Sequence, residues 1–139
     1  MTLYLLDTNT VSYIVKGKSP AARAQLERAG LRGDREIAIS AITAAEIFHG
    51  LERIGAGPPR RKAIDVFLSM VTIHPWDLGA AEAYGTLRAR QEARGTTLGP
   101  HDLQIAAHAL ALGAILVRHD HAFRQVTGLA GPEDWASDL

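Results

Sequence analysis

The sequence predicts an α/β fold, an α/β/α sandwich around a central parallel sheet of four or five strands. Four short apolar runs carry the first part of that expectation: Leu3 to Leu6, Ile37 to Ser40, Val71 to His74 and Ala114 to Val117. Each is too brief for a helix and is bounded by turn or capping residues. The segments between them hold apolar residues at helical spacing. Strands alternating with helices call for a parallel sheet with helices on both faces and right-handed crossovers. A length of 139 residues fits one domain, residues 1–139, burying about two-thirds of its unfolded surface.

The elements follow in order. Leu3-Tyr-Leu-Leu6 is a buried strand ending at Asp7, and Thr8 or Asn9 can cap a short helix bearing Val11, Ile14 and Val15 that Gly17 stops. Ser19-Pro20 pairs a capping hydroxyl with proline at the first helical position, and the helix ends at Gly30. A polar loop leads to the strand at Ile37. The next helix places Ala44, Ile47, Phe48 and Leu51 on one face, and Pro58-Pro59 opens another carrying Ile64, Phe67 and Leu68. Pro75 stops the strand at His74, and Asp77 caps a long alanine-rich helix to Gly95. After a turn at Thr96 to Gly99, Pro100 starts a helix through Leu112, Gly113 breaks it and the fourth strand follows. From Arg118 the tail reads as short and irregular.

Composition narrows the function. There is no cysteine, which excludes disulfides and thiolate metal sites and fits a reducing compartment. No segment approaches about 18 apolar residues, so the chain reads as cytoplasmic with no membrane partner. Fifteen basic against fifteen acidic residues leave no net charge. Nucleic-acid affinity must then come from local patches. Arg53, Arg60, Arg61 and Lys62 form one crowd and Arg88, Arg90 and Arg94 another, although solvated helix faces explain both.

The acids converge. Asp7 ends the first strand, Glu46 is expected in the first turn of the helix leaving the second, and Asp120 follows the fourth. Asp102 opens the helix that feeds the fourth strand, and such a helix must begin at the carboxyl edge of the sheet. That edge is where open parallel sheets bind ligands. Taken singly, each acid has an ordinary explanation. Thr43-Ala-Ala-Glu46 has the form of a capping box, Asp102 opposes a helix dipole, and Asp7 and Asp120 could be loop acids. Together, four carboxylates repel by about 4 kcal/mol per close pair at an effective dielectric near 20 unless a cation neutralises them. Oxygen ligands without cysteine suit Mg²⁺ or Mn²⁺, and such an ion polarises phosphate and acidifies a bound water. The expected chemistry is metal-assisted phosphodiester hydrolysis.

These residues resemble the PIN-domain ribonucleases, and within them the VapC-type toxins of type II toxin–antitoxin systems. The resemblance rests on Leu6-Asp7-Thr8-Asn9, Ile39-Ser40-x-Ile42-Thr43-x-x-Glu46, Gly99-Pro100-x-Asp102-x-x-Ile105-Ala106-Ala107 and Val117-x-x-Asp120-x-x-Phe123. Val126-x-Gly128-Leu129 and Glu133-Asp134-Trp135 extend it to the end. It implies that Asp7, Glu46, Asp102 and Asp120 are the catalytic, metal-binding acids, with Thr8 and Asn9 orienting them. It also implies an endoribonuclease toxin with RNA as substrate, a homodimer, and a cognate VapB-type antitoxin forming a heterotetramer or larger assembly. The chain departs from the family where a small hydroxyl residue and an asparagine are usual, with Arg118 and His119 there instead. A guanidinium contact to RNA phosphate is a role open to Arg118, and His119 is placed beside it.

Other readings compete. An RNA- or antitoxin-binding PIN domain with impaired catalysis would follow from the Arg118-His119 change. An aspartyl-phosphate phosphotransferase would use Asp7 as nucleophile. That class wants an acid two residues on, where this chain has Asn9, and its three lysines, Lys16, Lys18 and Lys62, lie outside the expected late position. His101-Asp102 and His119-Asp120 spell a dipeptide used by an all-helical class of metal phosphohydrolases, which the strands argue against. His108 reads as a packed or surface residue, and His49 and His74 carry no assignment.

Overall fold

The computed structural model describes residues 1–96 and 98–139. The turn expected at Thr96 to Gly99 includes Thr97, which lies outside the described residues. The elements run β1 (Thr2–Leu6), α1 (Thr8–Val15), α2 (Pro20–Gly30), β2 (Arg35–Ser40), α3 (Ala41–Arg53), α4 (Pro58–Ser69) and β3 (Thr72–His74). They continue with α5 (Leu78–Arg94), α6 (Pro100–Leu112), β4 (Ile115–Val117), a 3₁₀ turn (His121–Gln125) and β5 (Ala130–Glu133).

The strands form one sheet in the order β3-β2-β1-β4-β5, with every pair parallel. Both faces are covered, so side chains alternate between two cores. Tyr4 and Leu6 point into one with Ile14 of α1, Leu26 of α2, Ala44 of α3 and Phe67 of α4. Leu5 and Leu116 point into the other with Leu87 of α5 and with Ile105, Ala106 and Ala109 of α6.

This order fixes the location of the site. From β1 the chain moves outward on one side to β2 and β3, then returns through α5 and α6 to place β4 on the opposite side of β1. The connections leave β1 and β4 in opposite directions, so their carboxyl ends are the switch point at which such sheets form a crevice.

The tail differs from the expectation of a short irregular segment. Residues 121–125 form the 3₁₀ turn and Ala130–Glu133 adds a fifth strand beside β4. Trp135 then packs against Tyr4 with ring centroids 5.5 Å apart and the rings tilted by 49°, and the Asp138 carboxylate accepts from the Ser19 hydroxyl and the Ala21 amide at the start of α2. The sequence of this strand, Ala-Gly-Pro-Glu, has no apolar run; its place is held by backbone pairing with β4.

Candidate active site

Asp7 sits at the mouth of the crevice and is 1 % exposed. Its backbone amide donates to the carbonyl of Val117, which ties the end of β1 to the end of β4. Its side chain is itself the cap of α1, since Oδ1 accepts from the Thr10 amide at 2.8 Å. The sequence offered Thr8 or Asn9 for that role. Aspartate at the junction takes it because the strand's last carboxylate already points along the new helix axis, where unpaired amides wait.

Burial raises the Asp7 carboxyl from its ordinary 3.8 to about 6. The Thr10 hydrogen bonds oppose that rise, while the like charges of Asp102 and Asp120 add to it. Asp102, in the first turn of α6, is also held above its usual range, first by burial and then by Asp120 and Glu46, with His101 opposing. The acids are therefore near enough to feel one another's charge. Asp120 is the outlying member, exposed, with one oxygen accepting from the Ala122 amide at 2.9 Å where it caps the 3₁₀ turn.

Glu46 lies in the second turn of α3 rather than the first, because the helix begins directly after Ser40. The Ser40 hydroxyl is the cap, accepting from the Ile42 amide, so the capping box read at Thr43 does not form. The Thr43 hydroxyl turns instead to Thr8 Oγ1 at 3.1 Å, and Thr8 donates to Glu46 Oε1 at 2.8 Å. A hydroxyl has one proton, so Thr43 is the donor to Thr8. His101, adjacent to Asp102, places Nδ1 2.9 Å from the other oxygen of Glu46, Oε2.

Of the two residues expected to support the acids, Thr8 donates to Glu46, whereas Asn9 is exposed on α1. Thr10, Thr43 and His101 are the supporting residues that sequence reasoning did not assign. For Thr43 the signal was in the sequence but was spent on a cap; for His101 it was the His-Asp dipeptide. Arg118 is 8 % exposed, with its Nε buried and without a hydrogen-bond partner. His119 Nδ1 is 3.1 Å from Asp134 and its ring stands edge-on to Tyr13. His108 is packed, 1 % exposed, with Nδ1 2.9 Å from the Ser40 hydroxyl.

The donor set fits a hard divalent cation. Among the described residues no three His, Asp or Glu side chains stand close enough to grip one ion as they are. Nor does any lysine or arginine form an ion pair with Asp7, Asp102 or Asp120 among those residues. Carboxylates gathered at one edge with no lysine or arginine among them hold protons, and a cation bound there would release them.

Beside the acids, a groove lined by Val11, Val15, Ile47, Leu51 and Ile64 opens onto Thr8 and Glu46. Lys16, Arg53 and Arg60 stand on its walls. Arg61 is spent elsewhere, donating to the carbonyl of Ala56 and pairing with Glu52. Arg88 pairs with Glu92, and Arg94 donates to Thr127, as residues of a solvated face do.

The PIN domain family model matches residues 4–129. The tRNA(fMet)-specific endonuclease VapC of Salmonella typhimurium is 33% identical over 136 residues, covering 97% of this chain and 99% of the relative. Ribonuclease VapC2 of Haemophilus influenzae is 32% identical over 137 residues, again covering 97% and 99%. Among solved structures, VapBC2 from Rickettsia felis bound to a fragment of promoter DNA superposes with a TM-score of 0.84 at 30% identity, over 92% of this chain and 96% of that one. DNA-bound VapBC from Salmonella typhimurium gives 0.82 at 30% identity, over 97% and 99%. With the family model matching most of the chain and these relatives matching it over nearly their full length, the chain belongs to the PIN-domain family, among its VapC ribonucleases.

Proposed function

We propose that residues 1–139 act as one PIN domain, a metal-dependent endoribonuclease that is the toxin of a toxin–antitoxin pair. The observation that carries this reading is Asp7, buried at the carboxyl edge of the central strand and held up to about 6 by burial, with the charges of Asp102 and Asp120 adding to the rise. Asp7, Glu46, Asp102 and Asp120 would hold Mg²⁺ or Mn²⁺. When bound, such an ion supplies charge neutralisation for phosphate and a more acidic water. The chain's own residues do the rest. Thr10 keeps Asp7 aimed into the crevice, and Thr43 and Thr8 align Glu46. The walls of β1 and β4 limit water around the buried carboxyl, which strengthens every charge interaction there.

RNA would approach over the exposed rim at Asp120 and His101. Of the two residues expected at RNA, His119 turns Nδ1 to Asp134 and, as the imidazolium, would offer its Nε2–H to a phosphate, while burial takes most of Arg118 out of reach. The partner is a VapB-type antitoxin, in a homodimer-based assembly in the cytoplasm. No helix among the described residues is long and apolar enough to cross a membrane. The apolar groove with basic walls, next to exposed Phe48 and Ile54, suits a segment with apolar and acidic residues.

The test is RNA cleavage by purified toxin freed of metal. Cleavage should vanish in chelator, return with Mg²⁺ or Mn²⁺, and be abolished in Asp7→Asn and Asp102→Asn. Cleavage that persists in chelator, or that survives both substitutions, would move the activity away from these acids.

A further inference from the structure

Glu46 is held by both of its oxygens. Thr8 Oγ1 of α1 donates to Oε1 at 2.8 Å, and His101 Nδ1 of α6 lies 2.9 Å from Oε2. Glu46 itself belongs to α3, so the carboxylate is gripped from two other elements. The side chain of His101 is 60% exposed and that of Glu46 26%.

Stability does not account for this contact. Exposed ion pairs contribute little to stability, and immobilising the side chains offsets part of that. Nor is His101 packed in either core. Its geometry does have a consequence for Glu46. An ionised carboxylate only accepts hydrogen bonds, so Nδ1 carries the proton and Nε2 is left toward solvent. With Thr8 alone, the carboxylate could turn about its terminal bond; with a second donor on Oε2 it cannot. The hydrogen bonds run in one direction, from Thr43 to Thr8 to Glu46, and His101 closes the far end. Carboxylates that take part in metal sites are commonly fixed by such neighbours.

We propose that His101 is a positioning residue for Glu46, its Nδ1–H fixing Oε2 so that the carboxylate's remaining lone pairs face the crevice shared with Asp102. The proposal rests on the reading of Asp7, Glu46, Asp102 and Asp120 as the functional acids. It assigns a role to a residue that the sequence marks only as the neighbour of Asp102.

The experiment compares His101→Ala, His101→Asn and His101→Gln with wild type and with Glu46→Gln. Asparagine carries its amide nitrogen the same number of bonds from Cα as Nδ1 and can keep the donor. Glutamine places its amide nitrogen one bond further out and misses Oε2. Three quantities are read: Mn²⁺ affinity by calorimetry, kcat and KM separately on a short RNA, and the melting temperature of the metal-free protein. Alanine and glutamine should lower Mn²⁺ affinity or kcat by about 10–100-fold. KM and the metal-free melting temperature should hold, and asparagine should recover most of the loss. In the Glu46→Gln background, His101→Ala should cost nothing more, since the two act through one group. Full Mn²⁺ affinity and kcat in His101→Ala, with Glu46→Gln impaired, would overturn the positioning role and leave the carboxylate site intact. Asparagine as poor as alanine would overturn it too, by removing Nδ1 from the account. A Glu46→Gln protein that binds Mn²⁺ and cleaves as wild type would overturn the proposal together with the reading beneath it.

Discussion

At Asp7 one carboxylate serves the helix and opposes the fold at the same time. It caps α1, yet burial and like charges raise it from 3.8 to about 6. Between those values the folded protein binds the extra proton, so by linkage stability falls as pH rises through that window. The penalty is absent below the ordinary value and complete above about 6, where it amounts to about 3 kcal/mol. Asparagine caps helices as well as aspartate does. Asp7→Asn should therefore stabilise the metal-free protein by about 1–3 kcal/mol at pH 7.5, with the gain fading toward pH 4, in urea melts. A large loss instead would make Asp7 a structural residue.

His108 titrates with the opposite sign. Burial lowers it, the neighbouring charge of His74 lowers it further, and Asp77 and a hydrogen bond to the Pro75 backbone oppose them. The folded state thus keeps it neutral, and its contribution is complete above 6.5 and lost as pH falls below that value. It bonds Ser40, which caps α3. Ser40→Ala should remove a cap and leave Nδ1 of the imidazole without its partner, costing about 1–3 kcal/mol in urea melts at neutral pH.

Among the elements, those with an apolar signature were legible and those held by backbone pairing were not. β1, β2 and β4 announced themselves as short apolar runs, and β3 forms one residue later than expected, at Thr72. β5 had no such run. Its entry depends on Gly131, whose φ of 81° suits glycine and where a Cβ would stand 2.9 Å from Ile115 Cγ2. Gly131→Ala should cost about 1–3 kcal/mol. Hydrogen exchange should localise the damage, with the Arg118 amide, which donates to Glu133, losing protection first. Uniform loss of protection would mean that β5 is not a separable unit. Helix boundaries were harder still at α3, where Ser40 and Thr43 are both competent caps. The choice between them moved Glu46 from the first turn to the second and freed Thr43 to serve the site.

Across the whole molecule, the placement of acids followed from topology alone. A parallel sheet with β1 at its centre brings strand ends and helix starts to one edge, so Asp7, Asp102 and Asp120 could be put there from chain order. What chain order could not supply was the hydrogen-bond chain, because Thr43, Thr8, Glu46 and His101 meet only after α1, α3 and α6 have packed. The same edge bears on the proposed partner. A carboxylate cluster next to a groove attracts a guanidinium, whose planar fork engages a carboxylate where a cation would otherwise sit. An antitoxin segment that crosses the groove and places an arginine or lysine there would compete with metal, and each would weaken the other by the same factor. Titration of antitoxin into toxin at rising Mn²⁺ and matched ionic strength should show affinity falling; a flat response would leave steric blocking of RNA as the mode of inhibition.

The central claim is that the carboxylates at this edge form a divalent-metal site, and calorimetric titration of Mn²⁺ into the metal-free protein tests it most directly. With Asp7 held up to about 6, binding at pH 6 should release protons that binding at pH 8 does not, read as a dependence of the heat on the buffer's ionisation enthalpy. Asp7→Asn should weaken binding and erase that difference. Failure to bind Mn²⁺ at either pH, or binding that Asp7→Asn leaves unchanged, would contradict the account.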